Sequence, residues 1–253
     1  MAKLSVVIIT KNEERNIARC LDSLKDIADE IIILDSCSED GTKEICAAYD
    51  VKFQEKEWIG YAESKNYANS LASHDLLFSI DADEAVSDTL KKEIARIKSE
   101  DSPRKAYKVR RLTNYCGTWI RHCGWYPDEK VRIWHKDQGR WEGLIHEQVL
   151  LDPVCTVETL AGDLYHYSYY SVSQHIEQAN RFTDAGALHA FRKGTSSNIV
   201  KIILFPCWKF IRDYFFKAGF LDGYFGFIIC VISSHATFLK YAKLLELQKK
   251  EES

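Results

Sequence analysis

Residues 76–84 read LLFSIDADE. Asp75 to Ile80 has the pattern of a buried strand, and the strand runs out onto Asp81, Ala82 and Asp83. Side chains at alternating positions of an extended segment point the same way, so Asp81 and Asp83 can hold one hard divalent cation. Mg²⁺ binds through one or two carboxylates and fills its shell with water and substrate phosphate. A solvated acidic turn has the same two letters, so the neighbouring segments decide between the two.

Upstream, Leu4 to Thr10 is a continuous β-branched run and reads as a buried parallel strand. Lys11 to Glu14 opens a helix with Asn12 as its N-cap, and Ile17, Leu21 and Leu24 follow at helical spacing. Glu30 to Leu34 is a further strand that ends at Asp35. A turn rich in Ser, Asp and Gly leads to a helix from Thr42 to Tyr49, and Val51 to Gln54 is a short strand. Tyr61 to Ser73 and Leu90 to Lys98 read as helices. This alternation predicts an α/β domain: a mostly parallel sheet with helices on both faces and right-handed crossovers. Ligands bind such sheets at the carboxyl ends of the strands. Three polar clusters fall there, Thr10 to Glu13, Asp35 to Asp40 and Asp81 to Glu84. The first strand is not followed by GxGxxG, which disfavours a dinucleotide site.

Asp35 can accept hydrogen bonds from a nucleobase imide or a ribose hydroxyl, or close an Asx-turn. Asp40 suits the capping role. Lys65, with Ser64 and Asn66 beside it, could reach a diphosphate, or be a surface lysine. From Lys105 the pattern changes to strands at Ala106 to Arg111 and Lys130 to His135, separated by a functional loop, Asn114 to Pro127. Tyr165 to Tyr170 is aromatic-rich, and Val172 to Arg192 reads as a helix. The tail, Asn198 to Leu247, is apolar and basic, and reads either as amphipathic helices on a membrane or dimer surface, or as a packed helical subdomain.

The chain has 253 residues, 46% hydrophobic and 28% charged, with a net charge of -3, so a sizeable core can form and no basic field points to nucleic acid. Its 8 cysteines form no CxxC; Cys116, His122 and Cys123 lack the second pair that a zinc site wants, and reduced thiols fit a cytosolic chain. The start, MAKLSVVIIT, runs straight into a strand pattern without a cleavage site, so the expected location is the cytoplasm.

The segments SVVIITKNEERNIARCLDSL, EIIILDSCSEDGT, YAESKNYA and LLFSIDADE follow one another over the first hundred residues and resemble the family-2 glycosyltransferases, which have the GT-A fold. GWYPDEKVRIWHK, WEGLIHEQV and FIRDYFFKAGFLDGYFGF are similar to the subgroup that contains lipopolysaccharide-core glucosyltransferases. The resemblance implies a Rossmann-like GT-A domain with a C-terminal helical extension. Residues 1–105 would be its nucleotide-sugar half and 106–195 its acceptor and catalytic half. Residues 196–253 would be a helical tail on a membrane surface or a second copy. It further implies that Thr10 and Glu13 line the nucleotide pocket and that Asp35 meets the base or ribose. Asp81 and Asp83 would lie at the diphosphate and a Mg²⁺ or Mn²⁺ ion. The implied reaction is inverting transfer of a hexose from a UDP-sugar to a hydroxyl of a saccharide or lipid-linked saccharide, peripheral on the inner face of the cytoplasmic membrane.

Many family members carry a Glu-Asp pair well after the DxD, and this sequence has none there. The candidates for the base are Glu147, after a Gly-bearing loop, and Asp128, after Pro127. His146 could ligate the metal or contact phosphate. Trp125 and Tyr126 are the expected acceptor contacts among five aromatics that also include Trp119, Trp134 and Trp141; the alternative for all five is packing. Two rival readings remain at this level. A sugar-phosphate nucleotidyltransferase would normally show a Gly-rich triphosphate loop where Lys11 to Glu14 is acidic and Gly-free. A membrane-docked nucleotide-binding scaffold would not need Asp35, Asp81 and Asp83 intact.

Overall fold

The structure is a computed structural model, which describes residues 1–100, 102, 104–143 and 147–251. It forms two compact units, Met1–Arg111 with Asp128–Tyr167, and Leu112–Pro127 with Ser168–Ser253.

The first unit is organised by β1 (Leu4–Thr10). Its neighbours are β2 (Glu30–Asp35) and β4 (Leu76–Asp81), both parallel to it, and β3 (Lys52–Glu55) lies parallel outside β2. A strand with two neighbours and two covered faces is mostly apolar, which is why LSVVIIT does not alternate with polar residues. Leu4, Val6 and Ile8 pack with Ile17, Leu21 and Leu24 of α1 (Ile17–Leu24) and Leu90, Ile94 and Ile97 of α4 (Asp88–Glu100). Val7 points the other way, into a core with Ala62 and Ala68 of α3 (Tyr61–Ser70), Trp134 and Trp141. Period-2 alternation thus assigns one helical layer to each face.

Two sequence expectations change here. The helix after β1 starts at Ile17, because Asn12 sits at φ 55°, the left-handed region that an N-cap does not use. Asn12 instead laces two loops together: its N–H donates to Ser38 Oγ at 2.8 Å, and its Oδ1 accepts from the Glu39 N–H at 2.8 Å. The stretch Asn114 to Pro127 is not all loop. Cys116 (φ 50°) and Gly117 (φ 89°) form a two-residue turn of positive φ, and β7 (Thr118–Ile120) folds back on the end of β6 (Lys105–Tyr115) as a hairpin.

Beyond β4 the sheet turns antiparallel, with β8 (Asp128–His135) between β4 and β6. Then come β11 (Thr156–Tyr169) and β5 (Glu84–Val86), so the order among the described residues is β3-β2-β1-β4-β8-β6-β11-β5. The short helix α2 (Thr42–Cys46) precedes β3, and β9 (Gly139–Glu142) and β10 (Gln148–Leu151) form a separate ribbon. This is the α/β fold that the sequence predicts, parallel over β3-β2-β1-β4 and mixed overall.

In the second unit, α5 (Val172–Arg192) is capped by Ser171, whose Oγ accepts from the Gln174 N–H at 3.2 Å. Helix α6 (Ile199–Ile211) continues through a π-helical turn, Arg212–Phe216, and a 3₁₀ turn, Gly219–Asp222, into α7 (Gly223–Glu251). Leu244 of α7 packs with Ala187 and Ala190 of α5. The segment Gly219–Glu251 is long and apolar enough to cross a membrane by length and composition alone.

Candidate active site

Strand register brings the polar clusters together. Thr10 pairs with Asp35 across β1 and β2, and Ile9 pairs with Asp81 across β1 and β4, so three strand tips stand side by side. The Thr10 hydroxyl there is buried and has no hydrogen-bond partner. Asp35 is fully buried; its carboxylate accepts from the Ser38 N–H at 2.7 Å and the Ser38 hydroxyl at 2.5 Å, an Asx-turn that holds the loop closed. Asp40 accepts from the Thr42 N–H at 3.1 Å, but the N-cap of α2 is Gly41, so Asp40 closes a turn just before the helix and does not cap it.

Glu13 records how close the acids lie. Burial, reinforced by the charges of Asp83, Asp40 and Asp81, raises its carboxyl from 4.5 to about 7, against a hydrogen bond from Asn16 that favours the ionised form. An acid raised on folding stabilises the fold fully below its unfolded value, and that stabilisation disappears as pH rises through the folded value. In chelated buffer the melting temperature of the wild type should therefore fall between pH 4.5 and 7 relative to Glu13→Gln, whose amide never ionises. Parallel melting curves across that window would refute the assignment.

The two aspartates of DAD have different partners. Asp81 lies between two buried cations: Oδ1 is 3.1 Å from Lys65 Nζ and Oδ2 is 2.7 Å from Arg132 Nη2. Burial alone would raise its carboxyl, but Arg132 and Lys65 hold it well below the usual carboxylate range. Arg132 also reaches Glu84 at 2.8 Å. Asp83 instead faces His166 of β11, with Oδ2 3.2 Å from Nε2. The other imidazole nitrogen, Nδ1, is buried without a partner.

Lys65 connects this cluster to Glu147, whose Oε1 is 3.1 Å from Nζ, and the ammonium lies 4.4 Å from the Trp141 ring centroid. Asn66, next on α3, clasps the backbone of Trp141: Nδ2 donates to its carbonyl at 2.9 Å and Oδ1 accepts its N–H at 2.9 Å. That clasp fixes the β9 end, from which the segment bearing Glu147 departs. A cavity of about 320 Å³ opens there, lined by Ala62, Glu63, Asn66, Trp141, Glu142 and Gly143. A larger one, about 550 Å³, is lined by Asp29, Glu30 and Tyr49, at the opposite ends of the strands from the acids.

Other expected residues fall elsewhere. Asp128 is bound by Arg111 at 2.7 Å and Lys130 at 3.1 Å; burial raises its carboxyl, and the two cations outweigh that and lower it. His146 lies outside the described residues. Trp134 and Trp141 are core residues, with ring centroids 5.8 Å apart. Trp125 and Tyr126 belong to the second unit. Trp125 packs edge-on to Tyr115 and His175 at centroid distances of 6.0 and 5.6 Å, and Tyr126 lies under the Arg121 guanidinium at 5.6 Å.

The sequence has known relatives. The pattern of glycosyl transferase family 2 matches residues 5–146. The chain belongs to that family. Among its relatives, an uncharacterized glycosyltransferase of Rickettsia typhi is 32% identical over 99% of this chain and 89% of its own length. The lipopolysaccharide core biosynthesis glycosyltransferase LpsC of Rhizobium meliloti is 27% identical over 96% of this chain and 92% of its own. Of solved structures, S. aureus TarS 1–349 in complex with UDP-GlcNAc aligns at a TM-score of 0.48 and 15% identity, over 98% of this chain and 92% of that one. The protein is thus a glycosyltransferase, and the readings as a nucleotidyltransferase or an inert scaffold fall away.

GT-A glycosyltransferases generally use a divalent metal, so the donor set matters. No group of three or more His, Cys, Asp or Glu with metal-binding geometry occurs among the described residues. Asp83 and His166 are nevertheless a carboxylate and an imidazole in contact, with the His166 Nδ1 orphaned. A carboxylate and an imidazole, completed by phosphate oxygens and water, suit Mn²⁺, which accepts both oxygen and nitrogen donors. The residues therefore fit such an ion.

Proposed function

We propose that this glycosyltransferase moves a hexose from a UDP-sugar to a hydroxyl of a saccharide or lipid-linked saccharide acceptor, with inversion at the anomeric carbon, in synthesis of lipopolysaccharide core or another cell-envelope glycan. The observation that carries the reading is the convergence of Thr10, Asp35 and Asp81 on adjacent strand tips, with Asp83 against His166. The similarity to LpsC over nearly the whole chain supports the acceptor class.

In this reading Thr10, Glu13 and Asp35 receive the nucleoside. Asp83 and His166 would hold the divalent ion, with Asp81 as the neighbouring carboxylate and His146 of the HE dipeptide as an alternative ligand. Such an ion, when bound, offsets the charge that develops on the departing diphosphate. Lys65 adds a fixed cation beside that diphosphate. Glu147 takes the proton from the acceptor hydroxyl as its oxygen bonds to the anomeric carbon and the bond to diphosphate breaks.

A thermal-shift screen of nucleotide sugars with and without Mn²⁺ tests the donor. One or more UDP-sugars should raise the melting temperature in a metal-dependent way, and GDP-sugars should not. Stabilisation by GDP- or CMP-sugars alone would overturn the uridine assignment.

A further inference from the structure

Helix α6 is apolar on its outward side. Its buried positions are Ile202 and Pro206, and the Pro206 carbonyl accepts from the Ser234 hydroxyl of α7 at 2.8 Å. At about 100° per residue, Val200, Leu204, Trp208 and Ile211 fall on the opposite face, and all four are exposed. A helix facing water carries polar residues there. The apolar surface continues through the π turn to Phe216 and Tyr224, each 73% exposed. A patch this size on a folded unit marks an interaction site.

Its charges identify the occupant. Residues 199–231 contain four cations, Lys201, Lys209, Arg212 and Lys217, and two acids, Asp213 and Asp222. Both acids are turned inward. Asp213 is 1% exposed and bound by Lys209 at 2.5 Å and Arg212 at 2.9 Å. Asp222 accepts from the His122 N–H at 2.7 Å, and from the Arg121 N–H at 3.2 Å. The one exposed charged residue in this span is Lys217. The surface therefore presents apolar side chains with one exposed cation, Lys217, and with Lys201, Lys209 and Arg212 half-buried at its edge. A second copy docked face to face about a two-fold axis would set those cations against themselves. An anionic lipid surface complements both features.

We propose that the outward face of α6 and the following 212–224 segment is a docking surface for the anionic headgroup and upper acyl region of a lipid bilayer. It lies in the interface plane and does not span it. The 13 residues of α6 extend about 20 Å, short of the roughly 30 Å hydrocarbon core, and its inner side is held to α7. The inference does not depend on which donor or acceptor the site uses.

The test is flotation of the full chain with vesicles of phosphatidylcholine alone and of phosphatidylcholine with phosphatidylglycerol. The wild type should float with the phosphatidylglycerol vesicles, less with neutral ones, and less at high salt. The double substitution Trp208→Glu with Phe216→Glu should weaken flotation by about tenfold or more, with melting temperature and nucleotide-sugar binding unchanged. If that variant does not fold, Trp208→Gln with Phe216→Gln is read in the same assay. The proposal is overturned if the wild type stays with the buffer, if a folded variant floats as well as the wild type, or if light scattering shows a wild-type dimer that the variant breaks while neither floats. A nucleotide-sugar screen that fails while flotation succeeds would leave this surface standing.

Discussion

Asp83→Ala is expected to lower kcat/KM by about 10³-fold at any practical Mn²⁺ concentration. The metal supplies several kcal/mol of charge stabilisation, and each 1.4 kcal/mol is about a decade in rate. The fold should survive, because Asp83 is partly exposed and, among the described residues, its one ion pair is with His166. The contrast is Asp81→Ala. That change removes one counter-ion from each of two cations that are almost wholly buried, Lys65 and Arg132, and leaves them Glu147 and Glu84. Breaking a buried pair from one side costs about 3–5 kcal/mol, so Asp81→Ala should lose stability along with activity. The measurement is initial rate with a saturating donor alongside thermal melting. An Asp83→Ala enzyme within tenfold of wild type would remove the metal from the site proposed for it.

Glu147→Gln should reduce kcat by about 10²- to 10⁴-fold, the usual contribution of a positioned general base, while UDP-sugar affinity changes little. The amide keeps the shape of the carboxylate and can still accept a hydrogen bond from Lys65, but it cannot take the acceptor's proton. The rival, Asp128, is poorly suited. Arg111 and Lys130 hold its carboxyl below the usual range, which makes it a weak proton acceptor. Calorimetric titration with the donor, run beside turnover, separates the two parameters. Unchanged kcat in Glu147→Gln with collapse in Asp128→Asn would transfer the base to Asp128.

Glu147 is held by Lys65, and Lys65 by Asp81. A base in contact with a cation must be released before it accepts a proton. A bound diphosphate would compete for the same ammonium. Lys65→Ala should therefore weaken donor binding as well as turnover, unlike Glu147→Gln.

The residues at the strand ends were legible because their signal is local. A buried parallel strand is mostly apolar and tolerates single serines such as Ser5 and Ser79, so the polar cluster that follows the run marks its carboxyl end, at Thr10, Asp35 and Asp81. Helix α5 was legible to the residue, Val172 to Arg192, and the structure adds its cap, Ser171. Asn12 was misread because Asn suits both an N-cap and the left-handed region, and only the partner loop bearing Ser38 and Glu39 decides between them. His166 was missed. It lies 83 residues after Asp83 in a stretch that reads as aromatic, and no spacing rule connects the two. Register between β11 and β5, with His166 opposite Glu84, places it there.

The amino-acid order by itself determined the layered α/β half, its strand tips and the acids on them, because backbone hydrogen bonding and period-2 alternation act over a few residues. Tertiary structure alone decided which acid meets which cation. Asp81 acquires Arg132 because β8 runs antiparallel to β4, and Asp83 acquires His166 because β11 returns beside β5. Electrostatic attraction selects partners by distance in space, and those distances exist only after the chain has closed its sheet.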